Sequence, residues 1–214
     1  MAKSKPFFSI IIPALNEARY LPKLLGDLST QTFRDFEVIV ADGHSDDATV
    51  SKAKSFTASL PTLKVINSPR RHVCTQRNLG AQHAKADIFI FMDADNRLPP
   101  YFLQGVKYRL ESSPSDISSC YIQGDLNTPL EKTVSFAINT ASEILKNSNQ
   151  GQILEALIIS TREAFRRTGG FDENIDLGEG RALLQRCREN HLNFQLYKDP
   201  VYLYSFRRLR KFGT

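Results

Sequence analysis

Apolar positions along the chain fall into two rhythms. The runs FFSIIIPAL (7–15), FEVIVAD (36–42), LKVINS (63–68) and DIFIFMDAD (87–95) have strand length and little polar alternation. Ile, Val and Phe in unbroken series predict strands covered on both faces, as in a parallel sheet held between helix layers. Helical spacing fills the gaps. In EARYLPKLLGDLSTQ (17–31), Leu21, Leu24, Leu25 and Leu28 share one face. GHSDDATVSKAKSF turns into a helix that Asp46 or Asp47 can cap, and a third helix runs through TQRNLGAQHAKA. The first half of the chain therefore alternates β-α-β-α-β-α-β.

After Pro100 the rhythm loosens. YFLQGVKYRLESS predicts a helix, DISSCYIQGDL (116–126) a strand, PLEKTVSFAINTASEILKN (129–147) a longer helix, and ILEALIIS (153–160) a further strand. A short helix TREAFRRT, a Gly-rich turn GGFDENIDLGEG, a helix RALLQRCREN and a strand region NFQLYKDPVYLYSF follow. No internal repeat or Pro/Gly/Ser-rich linker divides the chain. The pattern predicts one doubly wound α/β domain, Rossmann-like, with a mostly parallel sheet flanked by helices on both faces.

Composition changes this picture little. A chain of 214 residues is long enough for one sizeable core, and 41% hydrophobic residues with 24% charged argue against disorder. The net charge of +5 suits an anionic ligand or a membrane surface. Its basic residues are dispersed and not gathered on one helix, which argues against nucleic acid as a partner. Cys74, Cys120 and Cys187 lie far apart with no C-x-x-C pair, so neither a disulfide framework nor a zinc site is indicated, and a reducing cytoplasm fits. MAKSKPFFSIIIPAL is interrupted by Pro13 and followed by Asn16 and Glu17, which fits a first strand and not a signal peptide. No stretch approaches the ~18 to 20 apolar residues needed to span a bilayer.

Candidate chemistry gathers at strand ends, where open α/β sheets bind ligands. Three acidic stations fall there: Glu17 after the first run, Asp42 after the second, Asp93 with Asp95 after the fourth. FMDADNRLP carries a buried strand straight into two carboxylates and then into Pro99 and Pro100. Alternating residues of an extended segment share one side, so this pair can hold a magnesium or manganese ion together with phosphate oxygens. The same pair can also be simply solvated. Asp42 with Gly43 can accept N–H groups of a ligand or only make a turn and cap. His72 and Cys74 are two groups alone and make no metal site. No GxGxxG follows the first strand and no GxxxxGK[ST] occurs, which excludes the common dinucleotide and P-loop enzymes.

The string SIIIPALNEARYLPKLLGDLSTQTFRDFEVIVADGHSDDAT, then FMDADNRLP, then TGGFDEN, in that order between residue 8 and about 190, resembles the family 2 glycosyltransferases. These are inverting enzymes of the type A nucleotide-sugar transferase (GT-A) fold. The resemblance implies a nucleotide-binding half (1–98) and an acceptor and catalytic half (99–214). It implies a nucleotide-diphosphate sugar donor met by Pro13, Asn16 and Glu17 in the first loop, by Asp42 at the base and by the Arg77–Asn78 pair. FMDADNRLP resembles the family's DxD motif, Asp93-Ala94-Asp95, with Mg2+ or Mn2+ on Asp93 and Asp95.

For the catalytic base the family shows an acidic pair after the GGFDE segment. Glu179 matches the first acid, while Gly180 stands where the second is expected. Glu179 is the first candidate base, with Asp176 and Asp172 in reserve; Glu179 can equally cap the helix that follows. The acceptor is implied to be a hydroxyl, of a lipid phosphate or a glycan. In YSFRRLRKFGT, the resemblance implies that Arg207, Arg208, Arg210 and Lys211 meet the diphosphate, or an anionic membrane at its inner face; the same residues can equally form a plain solvated tail. The alternative is a nucleotide-sugar-binding module that has lost its base at Gly180. Nucleotidyl transfer fits less well, because PALNEARYLP lacks the Gly-rich, basic character suited to a triphosphate.

Overall fold

Four apolar runs build the first half of a sheet in the computed structural model, which describes residues 5–146, 148, 154–207 and 210. They are β1 (Phe8–Ala14), β2 (Phe36–Asp42), β3 (Leu63–Asn67) and β4 (Ile88–Met92). β1 and β2 are buried along their whole length, as unbroken apolar runs predict. The second half adds β5 (Ile117–Gly124), β6 (Leu157–Thr161) and β7 (Phe194–Tyr204). Among the described residues they form one seven-stranded sheet in the order β3-β2-β1-β4-β6-β5-β7. Every pairing is parallel except those of β6, which runs antiparallel to both β4 and β5.

Helices cover both faces, and strand alternation sorts the core between them. Ile10, Ile12, Val38, Val40, Ile90 and Met92 point to the face packed by α1 (Leu21–Ser29) and α4 (Phe102–Ser112). Ile11, Ile39, Phe89 and Phe91 point to the opposite face, packed by α3 (Val73–His83), α6 (Arg162–Arg167) and α7 (Glu179–Glu189). Two further helices, α2 (Thr49–Lys54) and α5 (Pro129–Leu145), complete the order. The close approach of α3 to β1 depends on Gly80, where a Cβ would sit 2.3 Å from Ile11 Cγ2. A doubly wound α/β sheet with helices on both faces is what the sequence pattern predicts.

Boundaries differ where local chemistry intervenes. The first helix starts at Leu21, not residue 17, because Glu17 to Tyr20 forms a turn and Pro22 occupies the first helical turn. At α2 the cap position is Ala48; Asp47 accepts the Thr49 N–H at 2.9 Å, while Asp46 is drawn away by Arg71. β4 stops at Met92, so Asp93 and Asp95 lie on a turn and not on an extended segment. β6 begins at Leu157, four residues after the predicted start. α7 begins at Glu179 because Gly178, at φ +84°, turns the chain into it. Arg208 and Lys211 lie outside the described residues.

Candidate active site

The carboxyl ends of β1 and β4 open into a cleft of about 450 Å3. Because β6 is antiparallel, its amino end lies beside the carboxyl end of β4. Met92 pairs with Leu157, and the Asp93 N–H donates to Ala156 O at 3.0 Å. This one reversal brings Leu154, Glu155 and Ala156 into the wall opposite the first loop.

Arg77 organises the floor. It is 1% exposed, on the buried face of α3. Its Nη1 donates to Glu179 Oε1 at 2.9 Å, and its Nη2 to Asp93 Oδ1 at 2.9 Å and to the Glu155 carbonyl at 3.0 Å. The guanidinium also lies 5.1 Å from the Phe171 ring centre. Burial works against its charge, but Asp93 and Glu179 outweigh it and hold the pKa above the ordinary arginine value.

Asn78, beside it, does not enter the cleft. Its amide donates to Phe171 O at 2.9 Å and Glu173 Oε1 at 2.8 Å, and its Oδ1 accepts the Phe171 N–H at 2.9 Å. Gly170 (φ +73°) lets the chain pass, since a Cβ there would meet Asn78 Oδ1 at 2.9 Å. The Arg77–Asn78 pair thus divides its work: Asn78 pins the GGFDEN segment, and the segment delivers Glu179 to Arg77.

The other end of the cleft is closed by Arg207. Its Nη1 and Nη2 donate to the two Glu17 oxygens at 2.9 and 2.5 Å, its Nε lies 2.8 Å from Asp95 Oδ2, and it stacks 4.5 Å over the Tyr20 ring. Burial raises Asp95 to about 6; Arg207 opposes the shift, while Asp93 and Glu17 add to it. Asp93 and Asp95 are each engaged by a different arginine. Arg210, one helical turn on, pairs with Asp125 and Glu131. Two of the four basic C-terminal residues are thus turned inward.

Of the sequence candidates, Pro13, Glu17, Arg77, Asp93, Ala94, Asp95, Asp176 and Glu179 line the cleft. Asn16, Asp42, Asn78 and Asp172 do not. Asn16 ties two loops, accepting the Asp46 N–H at 2.8 Å. Asp42 is buried at the end of β2 and accepts the Ser45 N–H at 2.9 Å, the turn its sequence context allows. Asp172 holds the turn at Asn174. Asp176 stands at the rim with its side chain 94% exposed, 3.5 Å from His72 Nε2.

Glu155 is the residue that sequence reasoning missed. It is half-buried in the cleft wall, and Oε1 accepts the Gly180 N–H at 3.0 Å. Burial pushes its pKa above the ordinary glutamate value; the Gly180 N–H opposes this and Glu179 adds to it. The one available signal was an acid directly before an apolar run, the mirror of Asp93 directly after one.

Six carboxylates (Glu17, Asp93, Asp95, Glu155, Asp176 and Glu179) share the cleft lining with three arginines, Arg71, Arg77 and Arg207. Arg71 is itself taken by Asp46. An acidic excess of this kind repels a phosphate group unless a cation joins it. Among the described residues no three His, Cys, Asp or Glu are grouped closely enough to hold a metal alone. The hard oxygen donors of Asp93 and Asp95 nonetheless fit Mg2+ or Mn2+, which take one or two carboxylates and complete their shell with phosphate oxygens and water.

This fold, with a polar cleft at the carboxyl ends of its parallel strands, is that of the GT-A nucleotide-sugar transferases. The structure matches S. aureus TarS in complex with UDP-GlcNAc at TM-score 0.76 and 20% identity, over 92% of this chain and 58% of that one. It matches the mannosyltransferase PcManGT from Pyrobaculum calidifontis, in complex with GDP-Man and Mn2+, at TM-score 0.74 and 20% identity, over 94% and 57%. The family profile for glycosyl transferase family 2 matches residues 9–168, and the chain belongs to that family.

Among curated relatives it is 40% identical over 88 residues to the uncharacterized glycosyltransferase YfnE of Bacillus subtilis, 41% of this chain and 22% of that protein. It is 37% identical over 94 residues to a PGL/p-HBAD biosynthesis glycosyltransferase of Mycobacterium bovis, 44% of this chain and 37% of that protein. With an uncharacterized glycosyltransferase of Haemophilus influenzae it shares 32% over 107 residues, 50% and 35%. In each case the match covers well under half of the relative.

Proposed function

We propose that this chain is the donor-binding and catalytic domain of an inverting glycosyltransferase, which moves a sugar from a nucleotide diphosphate to a hydroxyl acceptor. The observation that carries the reading is the acidic excess of the cleft at the carboxyl ends of β1 and β4, which admits a diphosphate only in company with a divalent cation. The relatives crystallised with UDP-GlcNAc, and with GDP-Man and Mn2+, support it by their names.

In this reading residues 1–98 bind the donor: Pro13 and Glu17 line the cleft at the first loop and Arg77 its floor. Asn16 and Asn78 serve it from outside by tying the first loop and the GGFDEN segment, and a contact of Asp42 with the base would require its turn with Ser45 to open. Asp93 and Asp95, with Ala94 between them, would hold Mg2+ or Mn2+. Bound there, the ion would supply positive charge to the departing diphosphate. Arg77 fixes Asp93 by one oxygen and leaves the other to a ligand. Residues 99–214 present the acceptor, a hydroxyl on a lipid phosphate or a glycan. That hydroxyl attacks the anomeric carbon from the side opposite the diphosphate, which inverts the centre, and one of Glu155, Asp176 and Glu179 takes its proton.

Work at the inner face of a membrane would require Arg207 and Arg210 to leave their internal pairs, or the remaining basic residues to act without them. Among the described residues no helix is long and apolar enough to cross a bilayer.

The test is calorimetry of UDP and GDP with the wild type and Asp95→Ala, with and without Mn2+. Binding that needs Mn2+ and is lost in Asp95→Ala is expected. Equal affinity without metal, or in the variant, refutes the assigned metal role. Gly180 supports a second reading, a binding module without a base, which would bind nucleotide and metal but release no sugar.

A further inference from the structure

Gly180 removes the side chain that the family resemblance places next to Glu179, and the structure brings another carboxylate to the backbone of that residue. Glu155 comes from the turn before β6 and reaches α7, where Oε1 accepts the Gly180 N–H at 3.0 Å. Its partner across the contact is backbone, because residue 180 offers nothing else. The other oxygen, Oε2, has no hydrogen-bond partner among the described residues and belongs to a side chain that lines the cleft.

The remaining carboxylates of the cleft are committed elsewhere. Glu179 is 7% exposed on its side chain and gives Oε1 to Arg77. Glu17 is held at both oxygens by Arg207, and Asp95 shares the same arginine. Asp93 is paired with Arg77. Asp176 is 94% exposed on its side chain at the rim, where water solvates it fully. Glu155 alone among the six is sheltered, anchored and free of an ion pair among the described residues. The main chain beneath it is tied to the cleft floor: its own carbonyl accepts from Arg77, and the next carbonyl, Ala156 O, accepts from the Asp93 N–H and from Asn96 Nδ2. The group is thus placed to within hydrogen-bond tolerance by the same arginine that fixes Asp93.

We propose that Glu155 is the catalytic base of this chain, its carboxylate replacing across space the side chain that Gly180 lacks. The inference rests on the transferase reading above. As the acceptor oxygen forms its bond to the anomeric carbon, the bond from that carbon to the diphosphate oxygen breaks and its electron pair leaves with the nucleoside diphosphate. The acceptor proton passes to Glu155 Oε2 and afterwards to solvent. Glu179 is then a positioning residue, holding Arg77 in line with Asp93 and with the Glu155 carbonyl.

The experiment compares the wild type with Glu155→Gln and with Glu155→Gln/Gly180→Asp. Nucleoside diphosphate release is followed from UDP-glucose, UDP-galactose, UDP-N-acetylglucosamine and GDP-mannose with Mn2+, using water and methyl glycosides as acceptors. Affinity for UDP and GDP is measured alongside by calorimetry. The amide can still accept the Gly180 N–H, so it keeps the structural contact and removes only basicity. A fall of about 100- to 10,000-fold in kcat, with nucleotide affinity kept, is expected for Glu155→Gln. Return of about tenfold or more is expected when Gly180→Asp is added.

Turnover unchanged in Glu155→Gln overturns the proposal, as does a loss that appears in nucleotide affinity alone. A wild type that binds UDP or GDP with Mn2+ but consumes no donor also overturns it, while leaving the donor-binding reading intact. A wild type that binds neither nucleotide overturns both.

Discussion

Replacing Arg77 by methionine removes the charge at the floor of the cleft while keeping most of the volume of its stem. What remains is an uncompensated Glu179, 7% exposed on its side chain, and an Asp93 that at 37% can still turn toward water. Breaking a buried pair by deleting one partner costs roughly 3–5 kcal/mol, and Glu179 accounts for most of it because Asp93 recovers hydration. In a domain of this size 1 kcal/mol moves the melting temperature by about 2–4 °C, so Arg77→Met is expected to melt about 6–20 °C below the wild type. The assay is calorimetric melting of metal-free protein near neutral pH, for Arg77→Met and for Arg77→Met/Glu179→Gln. The double variant no longer carries the stranded charge, so it should melt above Arg77→Met. A single variant within about 2 °C of wild type, or a double variant that loses the full cost of both changes, refutes the claim that this pair is buried and coupled.

Gly80→Ala drives a Cβ to 2.3 Å from Ile11 Cγ2 and must push α3 off β1, an overpacking cost of about 1–3 kcal/mol that melting should register as a drop of about 2–12 °C. Arg207→Ala frees Glu17 and Asp95 from their shared partner, so the nucleotide-free protein should gain more thermal stabilisation from Mn2+ than the wild type does; a smaller gain would mean that the arginine does not compete with the ion. At Asp125, burial raises the pKa but the hydrogen bond and charge of Arg210 outweigh it and hold it below the ordinary aspartate value. A depressed carboxylate stabilises the fold above its unfolded pKa and loses that effect as pH falls through the folded one. Asp125→Asn should therefore melt below the wild type at neutral pH, with the gap closing under about pH 4; a constant gap would show that the charge is not the cause.

Strand runs and strand-end acids were legible because each is a local property. FSIIIPA and FEVIVAD declare burial on both faces, Asp42 closes β2, and Asp93 directly follows β4. The partners of Glu17 and Glu179 were not legible. Arg77 and Glu179 are 102 residues apart and Glu17 and Arg207 are 190 apart, so only the fold brings them together. Asp93 and Asp95 do line one cleft, but on a turn and not by strand alternation, since β4 ends one residue before the pair.

The direction of β6 is the single hidden variable behind the rest. A run such as LIIST carries the same apolar signature whichever way it lies, because side-chain alternation is blind to strand polarity. Were β6 parallel to β4, its amino end would lie at the far edge of the sheet, and Glu155 would be an acid on the face remote from the cleft. Antiparallel, the same residue stands beside Asp93, with Ala156 O accepting the Asp93 N–H between them. The reversal thus joins the two halves of the site: strand ends from residues 1–98 supply Asp93 and Asp95, and a strand beginning from residues 99–214 supplies Glu155. It also brings the Glu155 carboxylate to the Gly180 N–H at 3.0 Å, because a wall built from two strand polarities has two backbones from which to place an acid.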